Sequence, residues 1–430
     1  KILQINNTLI VLGSILLSTD IKYVKHDSIF NFIAPYLVKI GENVISKWHN
    51  LRYMYIPKVQ TVDTNSINTC YGLYQIDCKN LEEIKSKSFN NLFSLSKLSL
   101  CNVKQIQATC FDDCHSYQII ISDTIEKIES KLLNNKIFYV DLINLKQSTQ
   151  FLKFNPHLCY LRTPLLQMQV KQQSQVKVYS KEQTAPGIQL FQRYYPTKNE
   201  YEKCQQNHFF QIQSNRILLS SIHTMNQIEN VILRGLLLTK VTEISNYCFQ
   251  KQRCLLFAYC PQARSIGVES FSFCQALRKF FSQNLTSIGQ EAFKGCLSLT
   301  FFSASKVISI GQGSFAYCQS LTNIKFERLT QIPEEAFKRC LSLKQVECCK
   351  LISIHNSAFQ SCDTQVINLV CHLEQQNIPN VVFRKKSQKY QEALAIYFKE
   401  RKKLANQLQI QKECVYYCFL LVKQLFIKDK

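Results

Sequence analysis

The residues whose types could do chemistry are the cysteines and histidines. Cys110, Cys114 and His115 lie close together in sequence, and thiolate with imidazole is a donor set that zinc accepts. Cys348-Cys349 is a vicinal pair, and Cys371-His372 sets a thiol beside an imidazole. None is followed by a second pair at the spacing of a structural zinc site. Gly311-Gln312-Gly313 begins like a nucleotide-binding loop but lacks the rest of the fingerprint. No G-x-S-x-G turn or H-E-x-x-H helix occurs, and no Ser/His/Asp set can be argued from the order of residues. His355 reads as a solvated turn residue rather than a base. The expectation is therefore a protein that is not an enzyme and that uses no metal or cofactor.

A repeat accounts for most of these residues. Phe249, Phe271, Phe293, Phe315, Phe337 and Phe359 are spaced by 22 residues without slip. Five residues before each stands Ile244, Ile266, Ile288, Ile310, Ile332 or Ile354. Three residues after the last five come Cys274, Cys296, Cys318, Cys340 and Cys362. The same frame runs through Ile40, Val62, Ile84, Ile106 and Ile128, and Ile222 is expected to extend the second block back by one period. With the isoleucine as position 0, apolar residues recur at positions 5, 8, 11, 14, 16 and 19. Cys114 then falls at position 8, Cys348 at 16 and His355 at 1.

Spacing converts to shape. The step from 14 to 16 is the period of an extended chain, so Ile324 and Phe326 face in and Lys325 faces out. Steps at 0, 5 and 8 suit a turn and one short helical turn. Gly267, Gly289 and Gly311 at position 1 suit a backbone bend. A coil of this length cannot bury its own apolar side, whereas stacked coils bury a continuous core. The twenty cysteines are then expected to be reduced and buried, acting as small hydrophobes.

The segments SIGQEAFKGCLSLTFF (residues 287–302) and SIGQGSFAYCQSLTNIKF (residues 309–326) resemble the leucine-rich repeats of the BspA-like family. The resemblance is strong over residues 244–362 and moderate over residues 40–142. It implies an α/β repeat solenoid of the leucine-rich-repeat type. Each 22-residue coil would hold one short strand and one short helical turn, with the strands along one face. It also implies a surface, host-binding or partner-binding protein with no catalytic residues to carry over.

The expected organisation follows. Residues 1–39 form a cap or degenerate repeats, 40–149 a first repeat block, and 217–379 a second. Between them, residues 150–216 are an insertion or decayed repeats; residues 167–216 alone hold twelve glutamines. After Cys362 the frame slips by one, with Val366, Leu369 and Cys371 continuing the strand. Residues 380–430 carry a helical stripe, including Leu394, Tyr397, Leu404 and Leu408, with a basic opposite face that includes Arg384, Lys385, Lys399 and Lys402. The apolar run at residues 9–17 reads as an edge strand capping the core or as the core of a signal peptide. An intracellular location is the first expectation, because no membrane anchor is visible. The cell surface or secretion is the alternative if that run belongs to a signal peptide.

Across 430 residues, 46% are apolar and 19% charged, with ten glycines and nine prolines, which excludes a collagen-like chain and wholesale disorder. Lys and Arg number 52 against 30 acids, a net charge of +22 that favours anionic partners. The leading functional expectation is a protein-interaction scaffold that uses the outward residues between positions 11 and 16. These are Arg278, Lys279, Thr300, Phe301, Thr322, Asn323, Lys325, Lys344, Gln345 and Glu347. The partner would be a protein, with no small-molecule substrate. The alternative is an adaptor binding an anionic membrane surface or nucleic acid through the basic tail.

Overall fold

The computed structural model describes residues 2–5, 7–107, 109–129, 137, 139–148, 160–166, 177–178, 210–212, 217–220, 222, 224–225, 233–362, 366–373 and 377–387. Each period closes into one coil, and successive coils stack in parallel. In the coil beginning at Ser265–Ile266, that short strand pairs with Ser287–Ile288 of the next coil. Its second strand, Lys279–Phe281, pairs with Phe301–Phe302. Ile266 faces Ile288 and Phe280 faces Phe302, so each register step equals one period. Positions 0 and 14 point inward from opposite sides of the coil, which is why both are apolar.

The six phenylalanines at position 5 form one interior column. Adjacent rings from Phe249 to Phe359 stack with centroids 5.2–5.7 Å apart. Phe280 and Phe302 meet Phe293 edge-on at 5.1 and 4.9 Å, the arrangement that the ring quadrupole favours. The cysteines at position 8 are buried free thiols. They do more than fill space: Cys274 Sγ donates to the Phe249 carbonyl at 3.1 Å, and Cys296 donates to Phe271 at 3.2 Å. Cys318, Cys340 and Cys362 repeat the contact on Phe293, Phe315 and Phe337. A small side chain with a weak donor therefore answers a buried carbonyl of the preceding coil.

The expected helical turn is not there. Each coil instead carries two short strands, and among the described residues the only helical pieces are the 3-10 turns Ser18–Ile21 and His26–Ser28. The reason lies in where the backbone N–H groups go. The N–H groups of Tyr247, Phe249 and Lys251 donate to the Val268, Ser270 and Ser272 carbonyls of the next coil, each at 2.8 Å. An α-helix would direct them back to its own chain. The path is produced by left-handed residues at positions 3 and 7: Tyr247 and Lys251, Glu269 and Phe273, Glu291 and Gly295, and onward. The first block does the same with Asn43 and Lys47, and with Asn65 and Thr69.

The position-1 glycines do not lie in the left-handed region; they allow close approach. A Cβ on Gly289 would sit 2.7 Å from the Gly267 backbone, and one on Gly311 would sit 2.4 Å from the Gln290 nitrogen.

The frame slips where the structure shortens a coil. Tyr139–Leu142 pairs with Ile119–Ser122, so Val140 takes the inward place opposite Ile120. Met225, not Ile222, faces Ile244. After Cys362 the slip of one is present, with Val346 opposite Leu369. The strand is Ile367–Val370, however, and Val366 is exposed. Val381–Arg384 adds to the stack as a strand paired with Ile367–Val370 rather than starting a helix. The rest of the expected C-terminal helix, from residue 388, lies outside the described residues, as does most of the insertion. The run at residues 9–17 lies in the strands Thr8–Val11 and Ile15–Leu16, with Leu9, Val11 and Leu16 buried. No helix among the described residues is long and apolar enough to cross a membrane.

The coils form two stacks with separate cores, one spanning Leu9 to Leu161 and the other Leu218 to Val381. Each opens with an antiparallel strand pair, Ile2–Ile5 with Thr8–Val11 and Phe210–Ile212 with Ile217–Ser220. The stacks lie side by side and run in opposite directions. Lys344 stands over the Phe30 ring and Ser320 Oγ donates to the His49 carbonyl. Further along, Ser298 Oγ donates to the Tyr71 carbonyl and Arg278 covers Tyr74. Position 10 eases the approach, because it is buried along the seam and, apart from Asn50, small: Gly72, Ser94 and Ser116 in one stack, Ala276, Ser298, Ser320 and Ser342 in the other.

Candidate partner-binding face

In the second strand of each coil, side chains alternate across the sheet, so positions 13 and 15 face away from the core. The ten expected contact residues divide into four groups there. Lys279, Phe301, Asn323 and Lys325 are exposed, and Phe301 is 49% exposed. Glu347 and Thr300 are half-buried; Glu347 accepts from Gln345 Nε2 at 2.6 Å, and Thr300 Oγ1 donates to the Arg278 carbonyl. Thr322 and Gln345 are buried, so neither offers the outward surface expected of it. Arg278 and Lys344, both at position 12, turn to the seam, where their cations lie 4.6 Å and 5.4 Å from the rings of Tyr74 and Phe30.

The four exposed residues sit on adjacent coils, with Lys279 opposite Phe301 in the ladder. Lys325 pairs with Glu327 at 2.9 Å, so its charge is locally balanced. Its ammonium is stabilised first by the hydrogen bond to Glu327, which raises its pKa. Two outward rings escaped the sequence reading. Tyr259 and Phe281, both at position 15, stack 5.0 Å apart and nearly parallel. The two-residue alternation around Phe280 is the signal that could have found them.

The buried cysteine and histidine candidates serve packing. Cys110 donates to carbonyls of the Ile84-Lys85 strand end, and Cys114 donates to the Phe89 carbonyl at 2.8 Å. Burial pushes the Cys110 thiol up to about 12, far from a nucleophile at neutral pH. His115 ends a column of stacked rings, His49, Tyr71, Phe93 and His115, with centroids 4.9–5.4 Å apart along the seam. All four stand at position 9, so the 22-residue period held this row as well. Cys348 is buried and Cys349 exposed. His355 is exposed, with Nδ1 2.8 Å from Ser357 Oγ.

Parallel stacking of period-length coils around columns of Leu, Ile, Phe and Cys defines a leucine-rich-repeat solenoid. The chain belongs to the BspA type leucine rich repeat region family, whose model matches six copies over residues 22–139 and 242–367. No curated protein matches it. Among solved structures it is similar to a leucine-rich repeat protein from Bacteroides ovatus, with 18% identity and a TM-score of 0.25, covering 80% of this chain and 84% of that one. A leucine rich cell surface protein from Faecalibacterium prausnitzii is 15% identical, with 89% and 92% covered and a TM-score of 0.25. The pneumococcal vaccine antigen PcpA is 12% identical, with 80% and 74% covered and a TM-score of 0.29.

Proposed function

We propose that the chain is a non-enzymatic protein-interaction scaffold that docks its partner on the outward strand face of the second stack. The observation that carries this reading is Phe301. A phenylalanine exposed over about half its surface, paired with Lys279 in the ladder and followed by Asn323 at the same position of the next coil, gives an apolar anchor with a polar rim. Outward residues of a stacked coil can vary without touching the core, which is how repeat arrays acquire partners. The test is the combined variant Lys279→Glu, Phe301→Ser and Lys325→Glu. It should melt like the parent chain and lose the partner that the parent retains in a side-by-side pull-down. Retention of the same partner by the folded variant would move the docking surface elsewhere.

A further inference from the structure

Position 7 of the second stack reads Lys251, Phe273, Gly295, Tyr317 and Arg339 in successive coils, at φ values of 59°, 58°, 70°, 63° and 54°. Left-handed backbone suits Gly, Asn and Asp, and it strains a bulky side chain. The first stack conforms at Asn91 and Asp113 and departs at Lys47 and Thr69, neither of which is aromatic. Phe273 and Tyr317 do not, and neither ring joins the core: Phe273 is 39% exposed and Tyr317 is half-buried. Strain kept at two rings that pack nothing inside points to a use outside.

Between those rings, Gly295 has no side chain, and the Phe273 ring lies against it, since a Cβ there would come within 2.8 Å of Phe273 Cδ1. The result is a cleft of about 290 Å³ lined by Phe273, Gln275, Lys294, Gly295, Leu297 and Tyr317. The cleft is open to solvent and its volume lies just under the ~300 Å³ at which small-molecule pockets begin, so it suits one side chain of a larger partner rather than a free small molecule. Lys251 and Arg339 flank it on the coils to either side. Positions 6 and 7 of the second stack hold Lys251, Lys294, Lys338 and Arg339 and no acid. Lys294 and Lys338 pair within their own coils, with Glu291 at 2.7 Å and Glu335 at 2.6 Å. The Arg339 guanidinium stands 5.8 Å from the Tyr317 ring centroid.

We propose that this cleft docks a single aromatic side chain carried on an acidic peptide segment. The incoming ring stacks against Phe273 and Tyr317 at centroid separations of about 4.5–7 Å. Flanking carboxylates meet Lys251 and Arg339, while Lys294 keeps its Glu291 pair. The site is on the turn side of the coil and shares no residue with the strand face, so it stands or falls independently of the scaffold reading.

The probe is a fluorescein-labelled Glu-Asp-Trp-Asp-Glu peptide titrated with the full chain and followed by anisotropy. It should bind about 30-fold more tightly than the same peptide with alanine for tryptophan, the margin of a buried aromatic anchor. A version with lysines for the acids should bind as poorly. The double variant Phe273→Asn with Tyr317→Asn should abolish the tryptophan preference without lowering the melting temperature, because asparagine accepts the left-handed backbone. Arg339→Glu, which leaves both rings, should weaken the acidic peptide. The strand-face variant should bind the peptide like the parent chain. Equal binding of the tryptophan and alanine peptides would overturn the proposal, as would binding that survives the double variant or fails with the strand-face variant. Binding of neutral cellotetraose lost in the double variant, with no peptide binding, would assign the rings to a sugar instead.

Discussion

Phe293 shows what one side chain does in a stacked coil. It is fully buried and touches Phe271 and Phe315 face to face, and Phe280 and Phe302 edge-on. Phe293→Ala removes a ring shared by three coils, so the loss should reach about 3–5 kcal/mol in urea denaturation. Lys325→Ala, at an exposed outward position with only its Glu327 pair to lose, should stay within about 0.5 kcal/mol. A penalty at Lys325 rivalling that at Phe293 would mean that the faces are reversed. The thiols allow a second check. Burial raises Cys296 and Cys340 well above the ordinary thiol range, while Cys101 and Cys349 are exposed. Iodoacetamide at pH 8 should therefore alkylate Cys101 and Cys349 in the native chain and reach Cys296 and Cys340 only after denaturation, as read by peptide mass spectrometry.

At the scale of the coil, the spacing between neighbours is set by backbone meeting backbone at Gly267, Gly289 and Gly311. Gly289→Ala puts a methyl group 2.7 Å from the Gly267 carbonyl carbon, and neither backbone can yield without opening the ladder. The expected cost is about 1–3 kcal/mol, the range for overpacking. Gly13→Ala meets nothing closer than the Ile15 carbonyl at 3.4 Å, so its melting temperature should match that of the parent chain. Similar losses at both sites would show that close backbone approach is not the cause, since the unfolded-state effect of Gly→Ala is stabilising. The period and the inward columns were legible in the sequence because burial leaves a residue-type imprint at each position. The turn was not. Steps of five and three residues fit a helical turn as well as they fit two left-handed reversals, and Tyr247, Glu269 and Arg339 give no hint of positive φ. The outward strand residues were placed from alternation alone, which holds for Lys279 and Asn323. It misjudged Thr322 and Gln345, because burial there depends on surroundings that no local period encodes.

The whole molecule adds a surface that neither stack has alone. The seam joins Lys344 to Phe30, Ser320 to His49, Ser298 to Tyr71 and Arg278 to Tyr74, contacts between residues far apart in sequence. His49 is one titratable group along it, with His115 at the other end of the ring column. Burial is the main cause that lowers the His49 pKa to about 4, with Lys47 and His26 adding to the effect and Asp27 and the Thr69 backbone opposing it. The imidazole is thus neutral in the folded chain and protonates near its ordinary value of 6.5 once exposed. Unfolded chains therefore bind more protons between those two values. Stability from this group is complete above pH 6.5 and declines as pH falls toward 4, by roughly 2–3 kcal/mol. Phenylalanine at position 9 already stacks on Tyr71 from the other side, as Phe93 at 5.1 Å. His49→Phe should accordingly keep the ring column and remove the titration. Its denaturation midpoint should match that of the parent chain at pH 7.5 and exceed it at pH 4.5. If the two midpoints fall in parallel over that interval, the acid sensitivity belongs to groups outside the His49 stack, and His49 is not the residue that couples the seam to pH.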